Sequence, residues 1–186
     1  MKLNEKEALR YLGFRGKPAD ADTDEMIREI GGEMLRTLTP KCVYKRYDIK
    51  VLENAVELDG WRIESIKLSR HLRGCKAASL FAATLGLQAD MMIRRLSALN
   101  LARGTVAHSV ANALIEDYCD EMQAQVAEKE AATGLFLKPR YSPGYGDFAL
   151  QRQKKNTARL ECEKRIGQNI TDNKLIVGFK CVKDIL

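Results

Sequence analysis

The sequence predicts an α+β fold in which a twisted antiparallel sheet is flanked by helices. Three observations support this prediction: strand formers are concentrated in 42–64, a nearly uncharged run of small residues fills 75–84, and the segments around them show a helical period. Hairpin strands followed by clustered helices are typical of α+β domains rather than of βαβ arrays. A length of 186 residues fits one domain, so residues 1–186 are expected to form a single domain.

The N-terminal region predicts two helices. The first is expected over 4–12, with Asn4 as its N-cap. The second is expected to begin at Asp22–Glu25, where a capping residue is followed three residues later by Glu, and to end at Thr39-Pro40. Apolar residues recur at helical spacing between these limits.

The sheet is expected to draw on five segments of the chain. The predicted strands are 42–49 (CVYKRYDI), 51–58 (VLENAVEL), 61–64, 75–84 (CKAASLFAAT) and 174–182 (KLIVGFKCV). Asp59-Gly60 is a strong turn signal before the third of them. The composition of 75–84 is that of a strand buried on both faces.

Helical patterns cover most of the remaining chain. Helices are predicted from Ser65, as the N-cap, to Leu72, then at 87–99, at 105–131, and at 151–165 before Gly167. One segment, 133–150, breaks all periodicity with two prolines and three glycines. It is therefore expected to be a loop.

Composition and the N-terminus indicate a cytoplasmic protein. The chain is 45% hydrophobic and 30% charged, as ordinary globular proteins are. No apolar run approaches the roughly 18 residues of a membrane helix. The charged start MKLNEKEALRYLGF also lacks the apolar core of a signal peptide. We expect no membrane association.

The net charge of +6 raises the question of nucleic-acid binding. Most of the excess lies in 151–186, which holds nine Lys or Arg against four Asp or Glu. A basic segment can contact phosphates or an acidic partner. Here Glu161 and Glu163 are interleaved with the basic residues, which favours a solvated helix face. Nucleic-acid binding is therefore the minority interpretation.

Several familiar sites are absent from the sequence. There is no GxxxxGK[ST] motif and no GxGxxG after a strand, so neither a P-loop nor a Rossmann dinucleotide site is expected. His71 and His108 lack metal-ligand spacing and are interpreted as surface or structural residues. The five scattered cysteines contain no CxxC pair, so we expect reduced thiols and no metal site.

The loop residues Arg140–Asp147 (RYSPGYGD) are the most informative stretch. Pro143 and Gly144 allow a rigid, tightly turned backbone whose N–H and C=O groups can read a ligand edge. Arg140 offers a bidentate partner for a carboxylate, and Tyr141 and Tyr145 offer flat faces with polar tips. The alternative, left open by these residues alone, is a plain Pro/Gly loop whose tyrosines cover the core.

Together with Gly74–Gly86 (GCKAASLFAATLG), this loop resembles the activation domain of cobalamin-dependent methionine synthase. The resemblance runs from about Gly74 to the C-terminus and is weak before it. It implies a methionine synthase activation-domain-like fold. In that family an R-x-[AS]-P-G-Y loop binds S-adenosylmethionine and faces the corrin.

The resemblance also implies roles for individual residues. Arg140 would hold the carboxylate of the methionine moiety, the backbone at Ser142 would contact the ligand, and Tyr145 would pack beside ligand and cobalamin. Tyr141, Pro143 and Gly144 belong to the same ligand-binding loop. Glu116 is the best match for the acidic residue that meets the ligand's ammonium; its other interpretation is a solvated helix face. The ligand is expected in a groove between the 140–147 loop and the helix of Glu116.

The implied function is reactivation of oxidised cobalamin. The protein would bind S-adenosylmethionine and support reductive methylation of cob(II)alamin carried by a partner, either a cobalamin-dependent methionine synthase or a related corrinoid protein. A flavodoxin-type reductant would supply the electron. No side chain needs to act as nucleophile or base, so we expect an auxiliary component without a catalytic residue of its own. The alternative is a non-catalytic module that binds S-adenosylmethionine or a corrinoid protein.

The chain departs from the family pattern at three points. Residues 133–138 contain no carboxylate where the family has an acidic ligand residue before the loop. An N-terminal acidic contact could be Asp20, Asp22 or Asp24. The last strand has Lys180-Cys181 where compact relatives have Lys-Ser. These departures predict that ligand binding is either weaker than in the fused domain or lost.

Overall fold

A computed structural model describes residues 1–132, 134–148, 152–167 and 175–184. The helices are α1 (Glu5–Tyr11), α2 (Ala21–Thr37), α3 (Ile66–Leu72), α4 (Leu87–Leu99), α5 (Leu101–Ala131), α6 (Arg152–Arg159) and α7 (Cys162–Ile166). The strands are β1 (Lys41–Val51), β2 (Ala55–Leu58), β3 (Trp61–Glu64), β4 (Ala77–Thr84), β5 (Leu135–Leu137) and β6 (Leu175–Asp184).

The strands form one six-stranded sheet in the order β3-β2-β1-β4-β6-β5. The pairs β1/β2, β2/β3 and β5/β6 are antiparallel. Together with the helices, this sheet confirms the predicted α+β class. The β2–β3 turn lies at Asp59-Gly60, whose φ angles of 47° and 69° are both positive, as a type I′ hairpin turn requires.

Two strand predictions need correction. A break was predicted between 42–49 and 51–58, but β1 continues to Val51, and the chain turns at Glu53-Asn54 with the N–H of Leu52 donating to the carbonyl of Ala55 at 2.8 Å. The strand β5 lies inside the segment that was predicted to lack periodic structure. Only three residues long, it is defined by its pairing with β6, which lies about forty residues later in the chain.

The helix boundaries differ from the predictions in three places. The N-cap of α2 is Asp20, whose carboxylate accepts a hydrogen bond from the N–H of Thr23 at 2.8 Å. The helix α5 begins at Leu101 rather than 105, since the side chain of Asn100 accepts from the N–H of Ala102 at 2.8 Å. The predicted 151–165 helix is divided into α6 and α7 at Glu161, whose φ is 52°.

The chain divides into two compact units, each built from three stretches of sequence. The first comprises 1–41, 83–122 and 171–175, and so holds α1, α2, α4 and most of α5. The second comprises 42–82, 123–170 and 176–186, and holds the sheet, α3 and the loop after β5. The expectation of one domain stays a prediction.

Each unit has buried apolar residues of its own. In the first they include Ile27, Ile30, Met34 and Leu114; in the second they include Leu58, Ile63, Leu68, Leu72, Leu80 and Phe148. Every residue of β4 is buried, as its composition predicts. Across the residues that the structure describes, none of the helices has the length and hydropathy to cross a membrane.

The cysteines are not all reduced. Cys42, Cys119 and Cys162 are free thiols, but Cys75 is disulfide-bonded, which contradicts the prediction at that position. Spacing along the sequence carries no information on this tertiary pairing. Burial raises the pKa of Cys42 and of Cys162 to about 11, so both thiols are protonated and unreactive at neutral pH.

Candidate functional site

The loop begins with a tight turn at Ser142–Tyr145. The N–H of Tyr145 donates to the carbonyl of Ser142 at 3.2 Å, and φ of Gly144 is 99°. A proline at the second position and a glycine with positive φ at the third define a type II turn. Pro143 and Gly144 therefore produce the tightly turned backbone that their residue types predict.

A second turn follows immediately. The N–H of Phe148 donates to the carbonyl of Tyr145 at 3.0 Å, and Gly146 has a φ of 60°. The N–H of Gly144 donates to the carbonyl of Phe148 at 2.7 Å, which links the two turns. A Cβ at Gly146 would collide with the side chain of Lys67 and lie 3.1 Å from the hydroxyl of Tyr141. Only glycine fits this position without rearrangement.

Asp147 attaches the end of the loop to the N-terminus of α3. Its carboxylate accepts from the hydroxyl of Ser65 at 2.6 Å, from the N–H of Ile66 at 2.7 Å and from the N–H of Lys67 at 3.2 Å. The hydroxyl of Ser65 in turn accepts from the N–H of Leu68 at 3.0 Å, which confirms Ser65 as the N-cap. The carboxylate thereby satisfies N–H groups that a helix leaves unpaired at its start.

Lys138 attaches the beginning of the loop to the other end of α3. Its ammonium donates to the carbonyl of His71 at 2.9 Å and to that of Arg73 at 3.1 Å. These carbonyls belong to the last turn of the helix and to its C-cap, where a positive charge is favourable. Nε2 of His71 also lies 2.9 Å from the carbonyl of Pro139 and donates to it, since a carbonyl can only accept.

The two tyrosines of the loop behave differently. Tyr141 is half-buried, and its ring centroid lies 5.1 Å from that of His71 and 6.3 Å from that of Phe148. Its hydroxyl donates to the carbonyl of Tyr145 at 3.1 Å. Tyr145 itself is 64% exposed. Tyr141 therefore supports the loop from inside, while the ring of Tyr145 is available to a ligand or partner.

Three pKa shifts follow from this packing. The hydrogen bond from Ser65, followed by the N–H groups of Ile66 and Lys67, lowers the pKa of Asp147. Burial lowers the pKa of His71, and Lys138 nearby acts in the same direction. Burial and then Asp147 raise the pKa of Tyr141. At neutral pH the loop is therefore held by a carboxylate, a neutral imidazole and a neutral phenol.

The predicted site residues fall into both units. Arg140, Tyr141, Ser142, Pro143, Gly144 and Tyr145 all lie in the second unit, on the loop described above. Arg140 is half-buried, and its Nη1 atom is inaccessible to solvent. Glu116 is half-buried on α5 in the part of that helix that belongs to the first unit. Its role as acceptor for a ligand ammonium stays a prediction.

Two contacts that hold the loop were missed from sequence. Asp147 was named only as the last residue of the RYSPGYGD stretch, and Lys138 only as the end of the segment 133–138, which contains no carboxylate. Ser65 was predicted as the N-cap of a helix, but the sequence did not indicate that a carboxylate some eighty residues away also binds this helix start. Of the three N-terminal carboxylates considered, Asp20 is the N-cap of α2, and its hydrogen bonds with the N–H and hydroxyl of Thr23 lower its pKa.

The described residues hold no cluster of three or more His, Cys, Asp or Glu side chains that could bind a metal ion. What they offer at the loop is a guanidinium, an exposed aromatic ring and a rigid backbone. Such a set can recognise a ligand that carries a carboxylate and an aromatic ring.

By sequence, no protein-family model matches the chain, and no curated protein matches it. By structure, it is similar to the crystal structure of the MetH reactivation domain bound to AdoHcy, with a TM-score of 0.58 and 18% sequence identity. The match covers 95% of this chain and 65% of the MetH reactivation domain, so this chain spans less than two thirds of the length of that domain. The chain thus has the fold of the MetH reactivation domain.

Proposed function

We propose that this protein binds S-adenosylmethionine through the 140–147 loop and supports reductive methylation of cob(II)alamin on a partner protein. The partner is a cobalamin-dependent methionine synthase or a related corrinoid protein. One observation carries the proposal: a rigid double turn follows a half-buried arginine and exposes a tyrosine ring, on the fold of a domain that has been solved with AdoHcy.

The loop residues fit such a ligand chemically. Arg140 would pair with the carboxylate of the methionine moiety, and partial burial strengthens that pair relative to one in water. The carbonyl of Ser142 closes the first turn, so we assign the ligand contact to its N–H. Pro143 and Gly144 hold this N–H in a fixed direction, which lowers the entropy cost of binding.

Tyr145 is the residue proposed to meet the corrin. Its ring is exposed while its backbone is fixed by the bonds of both turns, so the ring presents a flat apolar face at little conformational cost. The partner's reduced cobalamin would supply the nucleophile that takes the methyl group of the sulfonium, and S-adenosylhomocysteine would be released. The chain's own contribution is to bring the sulfonium and the partner together in a fixed orientation.

The remaining components follow from this chemistry. The donor for the reduction would be a low-potential flavodoxin-type protein, and the reaction would take place in the cytoplasm. The second candidate is a non-catalytic module that binds S-adenosylmethionine or a corrinoid protein without supporting methylation. The missing carboxylate in 133–138 favours it in one form, since a site that lacks a ligand contact can still bind a corrinoid protein without supporting methylation.

The test uses a cobalamin-loaded methionine synthase that lacks its own activation domain. With this protein, S-adenosylmethionine and a low-potential reductant, the visible spectrum of cob(II)alamin should convert to that of methylcobalamin. Omission of any one component should prevent the conversion. Tyr145→Ala should reduce this rate more than it reduces binding of S-adenosylmethionine. If the ligand binds but the spectrum never changes with any plausible partner and donor, the binding-module function is correct instead.

A further inference from the structure

We propose that Asp147 and Lys138 are positioning residues of the S-adenosylmethionine site, because they fix the loop of Arg140 to the two ends of α3. This inference rests on the proposed function. It assigns a role in ligand affinity to residues that need not touch the ligand.

The two anchors impose a compact shape on the loop. The helix α3 has seven residues and is therefore about 10 Å long, at 1.5 Å per residue. The chain between Lys138 and Asp147 could extend to roughly 30 Å. Anchors at opposite ends of a short helix therefore restrict this segment to folded conformations.

The charges of the anchors also fix the direction of the loop. The carboxylate of Asp147 binds N–H groups at the start of α3, and the ammonium of Lys138 binds carbonyls at its end. Each charge has the sign that the helix dipole favours at its own end. An exchanged arrangement would bring each charge against groups of the wrong polarity, so the loop has one favourable orientation on α3. The lowered pKa of Asp147 agrees with this electrostatic stabilisation.

A third contact lies beside Arg140 itself. His71, on the last turn of α3, binds the carbonyl of Pro139 and packs its ring against Tyr141. The residues immediately before and after Arg140 are thus held by one side chain. A bidentate guanidinium–carboxylate pair needs both partners in a defined plane. Loosening the anchors should therefore weaken the contact with the carboxylate end of the ligand first.

Two ligands distinguish positioning from general support of the fold. S-adenosylmethionine carries the carboxylate, whereas 5′-methylthioadenosine keeps the adenosine and sulfur but lacks the amino-acid part. We expect Asp147→Ala to weaken S-adenosylmethionine roughly tenfold, about 1.4 kcal/mol, and methylthioadenosine by less than about twofold. Asp147→Asn should recover part of the loss, because an amide oxygen still accepts a hydrogen bond. Lys138→Met should reproduce the pattern of Asp147→Ala from the other end of α3.

Controls make the outcome specific. Asn4→Ala removes a helix cap in the first unit, where the side chain accepts from the N–H of Glu7 at 3.2 Å, and should leave both affinities unchanged. In an Arg140→Ala background, Asp147→Ala should cause no further loss. Equal weakening of both ligands, or no weakening of either, would overturn the proposal.

The result remains interpretable if wild-type protein binds neither ligand. The proposed function would then have failed, and with it the role in ligand affinity. Amide hydrogen exchange at Gly144, Tyr145 and Phe148 would still test the anchors, since these N–H groups close the turns. Faster exchange in Asp147→Ala would show that the anchors fix the loop, although without a role in ligand binding. Unchanged exchange would show that they do not fix the loop either.

Discussion

Two turns of the second unit are built in contrasting ways. The Asp59-Gly60 turn joins adjacent strands, and two residues with positive φ suffice to form it. The 140–147 loop also has glycines with positive φ, but the side chains of Asp147 and Lys138 fix it to α3, which lies more than sixty residues earlier in the chain. A turn that only reverses the chain can be encoded locally. A turn that holds an arginine in one orientation, as we propose for this loop, needs support from elsewhere in the fold.

The largest effect on ligand affinity is expected from removing the guanidinium of Arg140, which has no counterpart in the Asp59-Gly60 turn. Arg140→Ala should lower the affinity for S-adenosylmethionine by roughly tenfold to a hundredfold, because the ligand carboxylate loses a charge-assisted pair. Arg62→Ala is a suitable control, since Arg62 lies in the same unit and pairs with Glu57 at 3.1 Å on the surface. Equilibrium dialysis of wild type and both variants gives the ratio of their dissociation constants for S-adenosylmethionine. Equal affinities in wild type and Arg140→Ala, with the fold intact, would refute the assigned role.

Two alanine substitutions compare the turns directly. Gly60→Ala introduces a residue with positive φ into open space, so it should cost about 1 kcal/mol of unfolding free energy. Gly146→Ala has a similar φ, and its Cβ would lie 3.1 Å from the hydroxyl of Tyr141 as well as displacing the flexible end of Lys67, so it should cost somewhat more than Gly60→Ala, about 1 to 2 kcal/mol. Only Gly146→Ala should weaken ligand binding. Chemical denaturation and ligand titration of both variants provide the measurement; equal effects would mean that the loop is no more constrained than the hairpin.

A smaller effect is expected from the support inside the loop. Tyr141→Phe keeps the stacking against His71 and Phe148 but removes the hydrogen bond to the carbonyl of Tyr145. The loss of one such bond is about 1 kcal/mol, which predicts a severalfold weaker affinity for S-adenosylmethionine. Tyr44→Phe, which changes a phenol on β1, should have no effect on the affinity.

The smallest effect is a pH dependence of stability. The folded-state pKa values of His71 and Asp147 are both lowered, so the folded protein binds fewer protons than the unfolded chain. The contribution of His71 to the free energy of unfolding is complete above its ordinary pKa of 6.5 and is lost as the pH falls below that value. The contribution of Asp147 is lost in the same way as the pH falls below its ordinary pKa of 3.8. His71→Gln should flatten the curve of unfolding free energy against pH just below pH 6.5. Asp147→Asn should flatten it below pH 3.8. Unchanged curves would contradict the anchor contacts.

How far the sequence predicted the molecule depends on how local each signal is. The limits of α4, the cap at Ser65 and the turn at Asp59-Gly60 are encoded by neighbouring residues, and all three were predicted. The strand β5 was not, because three residues become a strand only by pairing with β6.

The candidate site shows the same division. The shape of the first turn follows from Pro143 and Gly144, and was predicted. The anchors Asp147 and Lys138 were not, since their partners on α3 are distant in sequence and are brought near only by the fold. The disulfide state of Cys75 escaped prediction for the same reason.

The central claim is that the loop binds S-adenosylmethionine, and isothermal titration of the purified wild-type protein tests it most directly. We predict saturable one-to-one binding, weaker or absent for adenosine alone because adenosine lacks the carboxylate that Arg140 would hold. No heat change at millimolar S-adenosylmethionine, confirmed by equilibrium dialysis on protein whose fold is intact, would contradict the account.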